Sequence, residues 1–128
     1  MIGTLPKSLR INNKNWAIRS DYRVALNIFI AINDPNLNKT EKLTVMLDCL
    51  YEKFSIMNPK DYEEAIVQAN WFLEGGKDYT DKPNYKKILD WEQDEQMIFA
   101  AVNKVANCEL RSKKYVHWWT FLRIFFRN

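Results

Sequence analysis

Ile88-Leu89-Asp90-Trp91-Glu92-Gln93-Asp94-Glu95-Gln96 opens a run that continues to Val105, turns at Asn107-Cys108-Glu109 and closes on Tyr115-Val116-His117-Trp118-Trp119-Thr120-Phe121-Leu122. Asp90 is a candidate helix cap: its carboxylate can accept from the unpartnered N–H groups of a first turn, and Gln93, three residues on, can complete a capping box. Glu92, Asp94 and Glu95 sit where a helix N-terminus favours negative charge. A helix is therefore expected to begin at Trp91. Trp91, Ile98, Val102 and Val105 share one stripe, interrupted by Glu95, so this helix has an apolar face to lay on the rest of the chain. Such patterning fixes architecture and names no chemistry.

On the N-terminal side, Gly76 to Lys87 is mostly charged or turn-forming, with Asp81-Lys82-Pro83-Asn84 in its middle, and reads as a loop. Before it, Asn58-Pro59 offers a cap and a first-turn proline to an amphipathic helix carrying Tyr62, Ala65, Ile66, Ala69 and Leu73, which Gly75-Gly76 stops. A further helix is expected to start at Thr40 and Glu41 and to bury Leu43, Met46, Leu47, Leu50, Tyr51 and Phe54. Ser20-Asp21 caps a helix from Tyr22 to about Ile32 whose residues leave little polar face, which places it in the centre; Asp34-Pro35-Asn36 ends it. Ser8 to Ile11 and Trp16 to Arg19 alternate polar with apolar around a turn of four residues, Asn12-Asn13-Lys14-Asn15, the pattern of a β-hairpin. The last helix is expected to start between Ser112 and Tyr115. The fold class is thus mainly α, with about five helices and an N-terminal β-hairpin.

A length of 128 residues with 47% hydrophobic residues suits one core, so residues 1–128 are read as a single domain, with the hairpin at about 8–19 and the helical body at about 22–127. Nineteen basic against sixteen acidic residues, a net charge of +3, give no overall field of the kind nucleic-acid binders carry, and no nucleic-acid partner is expected. No apolar run approaches the roughly 18 residues needed to span a bilayer, so no membrane partner is expected either. The two cysteines, Cys49 and Cys108, show no CxxC spacing, and no leader precedes the polar start at Lys7, which makes a reducing cytoplasm the simplest location.

Candidate chemistry is sparse. His117 is the only histidine and has no second imidazole with which to share a metal, so it is expected to be structural or to touch a partner. Neither cysteine has a neighbouring base. The carboxylates around Asp90 are what a helix start prefers, and Gly75-Gly76 lacks the further glycine and preceding strand of a phosphate loop. No catalytic residue, cofactor site or metal site is expected, and the chain is not expected to be an enzyme. Tyr115, Trp118, Trp119, Phe121, Phe125 and Phe126 are another matter: they cover too much of a helix circumference for one face to bury them all, so either some meet another chain or, as an equal alternative, most of them plug the core at the hairpin. Adjacent residues on a helix point about 100° apart. Trp118 shares its face with Leu122 and Phe125 and is expected in the core. Trp119, Arg123 and Phe126 form the candidate partner interface, with a second copy or a client as occupant. Arg111, Lys113, Lys114, Arg123 and Arg127 surround this patch, and an anionic membrane surface is an alternative occupant for a basic aromatic helix.

The segments Asp90 to Gln96, Ala101-Val102-Asn103-Lys104-Val105 and His117 to Leu122, with Leu5-Pro6, Asn33-Asp34-Pro35, Asp61-Tyr62-Glu63-Glu64-Ala65 and Trp71-Phe72 in their setting, resemble a known family. It is that of small tail-morphogenesis proteins of long-tailed bacteriophages and prophages of Gram-positive bacteria, encoded just upstream of the tape measure protein. The resemblance implies a non-enzymatic tail assembly chaperone that acts in the host cytoplasm, holds the tape measure protein soluble and forms a homo-oligomer. The alternative it implies is a structural or peripheral component of the tail. It supplies no catalytic residue. Its relatives continue beyond the Trp-Trp-Thr-Phe segment, whereas Arg123 to Asn128 closes this chain, which is therefore expected to be either a frameshift-defined short form or a truncated one.

Overall fold

The computed structural model describes residues 5–76 and 112–125. Strand β1, Ser8–Ile11, pairs antiparallel with β2, Lys14–Ala17, so that Leu9 faces Trp16 and Ile11 faces Lys14. The turn is therefore two residues long, and Lys14 and Asn15, expected in the loop, belong to β2. Asn12 and Asn13 lie at φ 53° and 64°, the two positive values of a type I′ turn, whose twist matches that of the flanking strands. Asparagine reaches this region at lower cost than most residues, so the turn needs no glycine. Alternation then sends Leu9 and Ile11 into the core. Beyond β2 the chain pairs with the segment that leaves the second helix: Arg19 N–H donates to Leu50 O at 2.7 Å and Glu52 N–H to Ala17 O at 3.1 Å.

Helix α1, Tyr22–Ile32, begins where expected, with the Asp21 carboxylate accepting from Arg23 N–H. Tyr22, Ala25, Leu26, Ile28, Phe29 and Ile32 are buried. After α1, the Asp34 side chain accepts from Asn36 N–H at 2.9 Å and turns the chain away from the helix axis. Helix α2, Lys39–Leu50, starts at Asn38 rather than at Thr40: Asn38 Oδ1 accepts from Glu41 N–H at 2.8 Å and Glu41 Oε1 accepts from Asn38 N–H at 2.9 Å. This reciprocal pair satisfies two orphan donors and requires the acid three residues after the cap, which Thr40 does not have. At the other end, Arg19 Nη1 donates to the Asp48 and Cys49 carbonyls at 2.9 Å each.

Asn58-Pro59 opens a 3₁₀ turn, Pro59–Asp61, and helix α3 proper runs Tyr62–Leu73, a turn later than the proline suggests. The Tyr51 hydroxyl crosses to donate to Ala65 O at 2.7 Å inside the core. Helix α4, Trp118–Phe125, also starts later than expected. The backbone before it is committed to α1: Tyr22 N–H donates to Val116 O at 2.8 Å, Trp118 N–H to Ser20 O at 2.7 Å, and Val116 N–H to Asp21 Oδ2 at 3.0 Å. Groups so used cannot enter a helical ladder. The mainly helical class and the N-terminal hairpin stand, with four α-helices among the described residues against an expectation of about five. The Asp90 cap, the Trp91 helix and the loop to Lys87 lie outside the described residues, as do Cys108, Arg111, Phe126 and Arg127.

Helix α1 is central, packed on α2 along one side and on α4 along another. Tyr51, Phe72, Trp118 and Phe121 fill the core with it and are almost fully buried. Among the described residues no helix is long and apolar enough to cross a membrane.

Candidate functional site

The two described segments meet where α3 ends and α4 begins. Gly75 N–H donates to Phe72 O at 3.0 Å and Gly76 N–H to Trp71 O at 2.8 Å, the paired bonds of a Schellman motif. The last carbonyls of α3 lack helical donors, and α4 supplies two. Trp118 Nε1–H donates to Leu73 O at 2.9 Å, and Trp119 Nε1–H donates to Phe72 O at 2.9 Å. Adjacent indoles thus close one helix from the start of another.

The two rings leave that junction in different directions. Trp118 is 1% exposed and lies among Phe29, 5.7 Å away between ring centroids, and Phe121, 5.5 Å away. It is a core residue, as its uncharged helix face led us to expect. Its fully buried partner on α4 is Phe121, whose ring stacks on Tyr22 at 4.8 Å, while Leu122 is half-buried. Trp119 is half-buried: its ring meets Trp71 edge-on at 5.3 Å, Phe72 at 6.0 Å and His117 at 5.9 Å. A Cβ added at Gly76 would lie 2.3 Å from Trp119 Cη2, so the indole rests on bare glycine backbone. Of the candidate interface residues, Trp119 therefore has contacts within its own chain, Arg123 is exposed, and Phe126 lies outside the described residues.

His117 is 3% exposed and acts as the cap of α4. Its Nδ1 accepts from Trp119 N–H at 3.0 Å, which requires a bare lone pair there, so the ring proton sits on Nε2 and is donated to Pro6 O at 2.7 Å. A second proton would occupy the lone pair that caps the helix. Burial, followed by the charges of Lys7 and Arg123, holds the imidazole below the ordinary histidine value, against the pull of the Pro6 carbonyl. The unfolded chain, with a pKa of about 6.5, then binds more protons than the folded one between the two values. His117's contribution is complete above that pH and is lost as pH falls toward the folded pKa. The urea midpoint should therefore be level above about pH 7 and decline on acidification below the ordinary histidine value. His117→Asn, whose Oδ1 can still cap, should flatten that decline; an equal decline in the variant would remove His117 as its source.

Among the described residues no group of three or more His, Cys, Asp and Glu side chains is placed to hold a metal ion. Burial, and next the neighbouring Asp48, push the Cys49 thiol up, with Arg19 acting in opposition, so it is a poor nucleophile. These features describe packing and capping, and the decisive observation is a comparison. A family model described as "Bacteriophage Gp15 protein" matches residues 1–127. The chain belongs to that bacteriophage family. No curated protein and no solved structure shows a significant match.

Two structural features of this family member were not foreseen from its sequence. The capping role of His117 needs Pro6, 111 residues away, and the seat of Trp119 on Gly76 needs α3 and α4 to meet end to end. The local sign of the first was the position of His117 directly before an aromatic helix; the second had none beyond the glycine pair itself. The large apolar residues that are exposed among the described ones are Ile30, Ile56 and Tyr115, which belong to separate elements. Most of the described C-terminal aromatic surface is thus internal, and Tyr115 is its exposed member.

Proposed function

We propose that the chain is a tail assembly chaperone of its phage, binding the tape measure protein in the host cytoplasm and keeping that protein's apolar helices soluble until the tail tube polymerises around them. Membership of a bacteriophage family along residues 1–127 carries this proposal. The resemblance of Asp90 to Gln96 and of His117 to Leu122 to tail-morphogenesis proteins narrows it. Such a role asks for a rigid small body and shareable surface rather than an active site, and we take the protein to be non-enzymatic. The indole bonds that tie α4 to the end of α3 and the exposure of Tyr115 support this reading.

Co-expression with the tape measure protein of the same phage is the direct test. Soluble tape measure protein should rise several-fold and leave the cell in a complex with this chain. Equal insolubility with and without it, and no complex, would sink the proposal. In the absence of client the chain is expected to self-associate with closed symmetry; a monomeric mass in sedimentation at every concentration would remove that part.

A further inference from the structure

We propose that the basic surface around Tyr115 docks an acidic segment of the client polypeptide, an inference that rests on the chaperone proposal and assigns it a contact surface. Lys7 Nζ stands 5.2 Å from the centre of the Tyr115 ring. Lys7, Arg19 and Tyr115 line one open recess with Ser20 and Glu52. Lys113 and Lys114 precede Tyr115 directly, and the Lys113 carbonyl is fixed by the Arg23 guanidinium.

Lys7, Lys113 and Lys114 are exposed and form no ion pair with any described residue. Of the two acids lining the recess, Asp21 is already engaged: it pairs with Arg23 at 3.0 Å and accepts from the Arg23 and Val116 N–H groups. Its charge is spent within the fold, leaving several cations against Glu52. This imbalance attracts carboxylates, while the Tyr115 ring, held by its hydroxyl contact with Ser20 Oγ at 2.6 Å, offers a flat apolar seat beside them. A polypeptide fits better than the other polyanions. It can set an uncharged residue against Glu52, whereas a phosphodiester chain carries a negative charge on every link. An anionic bilayer would need apolar side chains beside the cations, and among the described residues the other exposed large apolar ones, Ile30 and Ile56, stand on other elements.

The test compares capture of co-expressed tape measure protein by the natural chain and by a Lys7→Glu, Lys113→Glu, Lys114→Glu variant, each checked for an unchanged thermal midpoint. Capture by the natural chain should weaken as salt rises from about 0.05 to about 0.5 M. The Glu variant should bind about tenfold more weakly at the lower salt, because exposed charge pairs contribute modestly and three are reversed, whereas the corresponding Lys→Arg variant should keep the affinity. Equal capture by the natural and Glu chains would overturn this inference and leave the chaperone proposal standing. No capture by any form would overturn both. Transfer of the charge effect to RNA or phosphatidylserine vesicles, with client capture unaltered, would also overturn it.

Discussion

Trp118→Ala should lower unfolding free energy by about 3–5 kcal/mol, the range of buried aromatic truncations. The side chain is 1% exposed and its ring contacts Phe29 and Phe121, so removing it opens a cavity between α1 and α4. It also withdraws the donor that Leu73 O receives at 2.9 Å, leaving a buried carbonyl unsatisfied. Trp119→Ala should cost less, about 2 kcal/mol, because that ring is half-buried and water can reach the vacated space. Urea unfolding of the paired variants measures both. A larger loss at Trp119 would reverse the assignment of the two rings and place the core on the other face of α4.

The elements that depend on neighbouring residues were legible in the sequence. Asp21 and the unbroken apolar run behind it define α1, and Gly75-Gly76 ends α3 because both residues adopt positive φ, 86° and 76°. Errors arose where two local rules competed. Asn12-Asn13 satisfies a type I′ turn without the glycine usually sought, which shifted the expected strand by two residues. Asn38 and Glu41 have the capping-box spacing, but the threonine between them suggested a later start. The start of α4 could not be read locally, because Val116 is held by Asp21 from 95 residues away. The same limit applies to function. Lys7 and Arg19 line one recess with Tyr115, which follows Lys113 and Lys114 in the chain, and the pairing of residues 20–22 with 116–118 brings these distant segments together. The family resemblance named a phage protein from scattered motifs, and the whole-chain family match agrees at that level.

Gly76→Ala is expected to rank beside Trp118→Ala, at about 2–4 kcal/mol, although it adds only one methyl group. Two costs combine. At φ +76° a side chain incurs left-handed strain of roughly 1–2 kcal/mol. The new Cβ would also fall 2.3 Å from Trp119 Cη2, and a rigid bicyclic ring cannot give way as a flexible chain end does. Trp119 would have to move, endangering its bond to Phe72 O and its contacts with Trp71 and His117. Gly75 supplies the control. At φ +86° its substitution carries similar backbone strain, but its Cβ would meet the Leu122 Cδ1 tip at 3.3 Å, which a small rotation relieves. Gly76→Ala should therefore destabilise more than Gly75→Ala, by about 1–2 kcal/mol in urea unfolding. The excess should largely vanish when both changes are made on a Trp119→Ala background, where the ring is gone and backbone strain alone remains. Equal costs for the two glycines on the natural background, or an excess that survives loss of the indole, would show that Trp119 does not rest on Gly76 in solution.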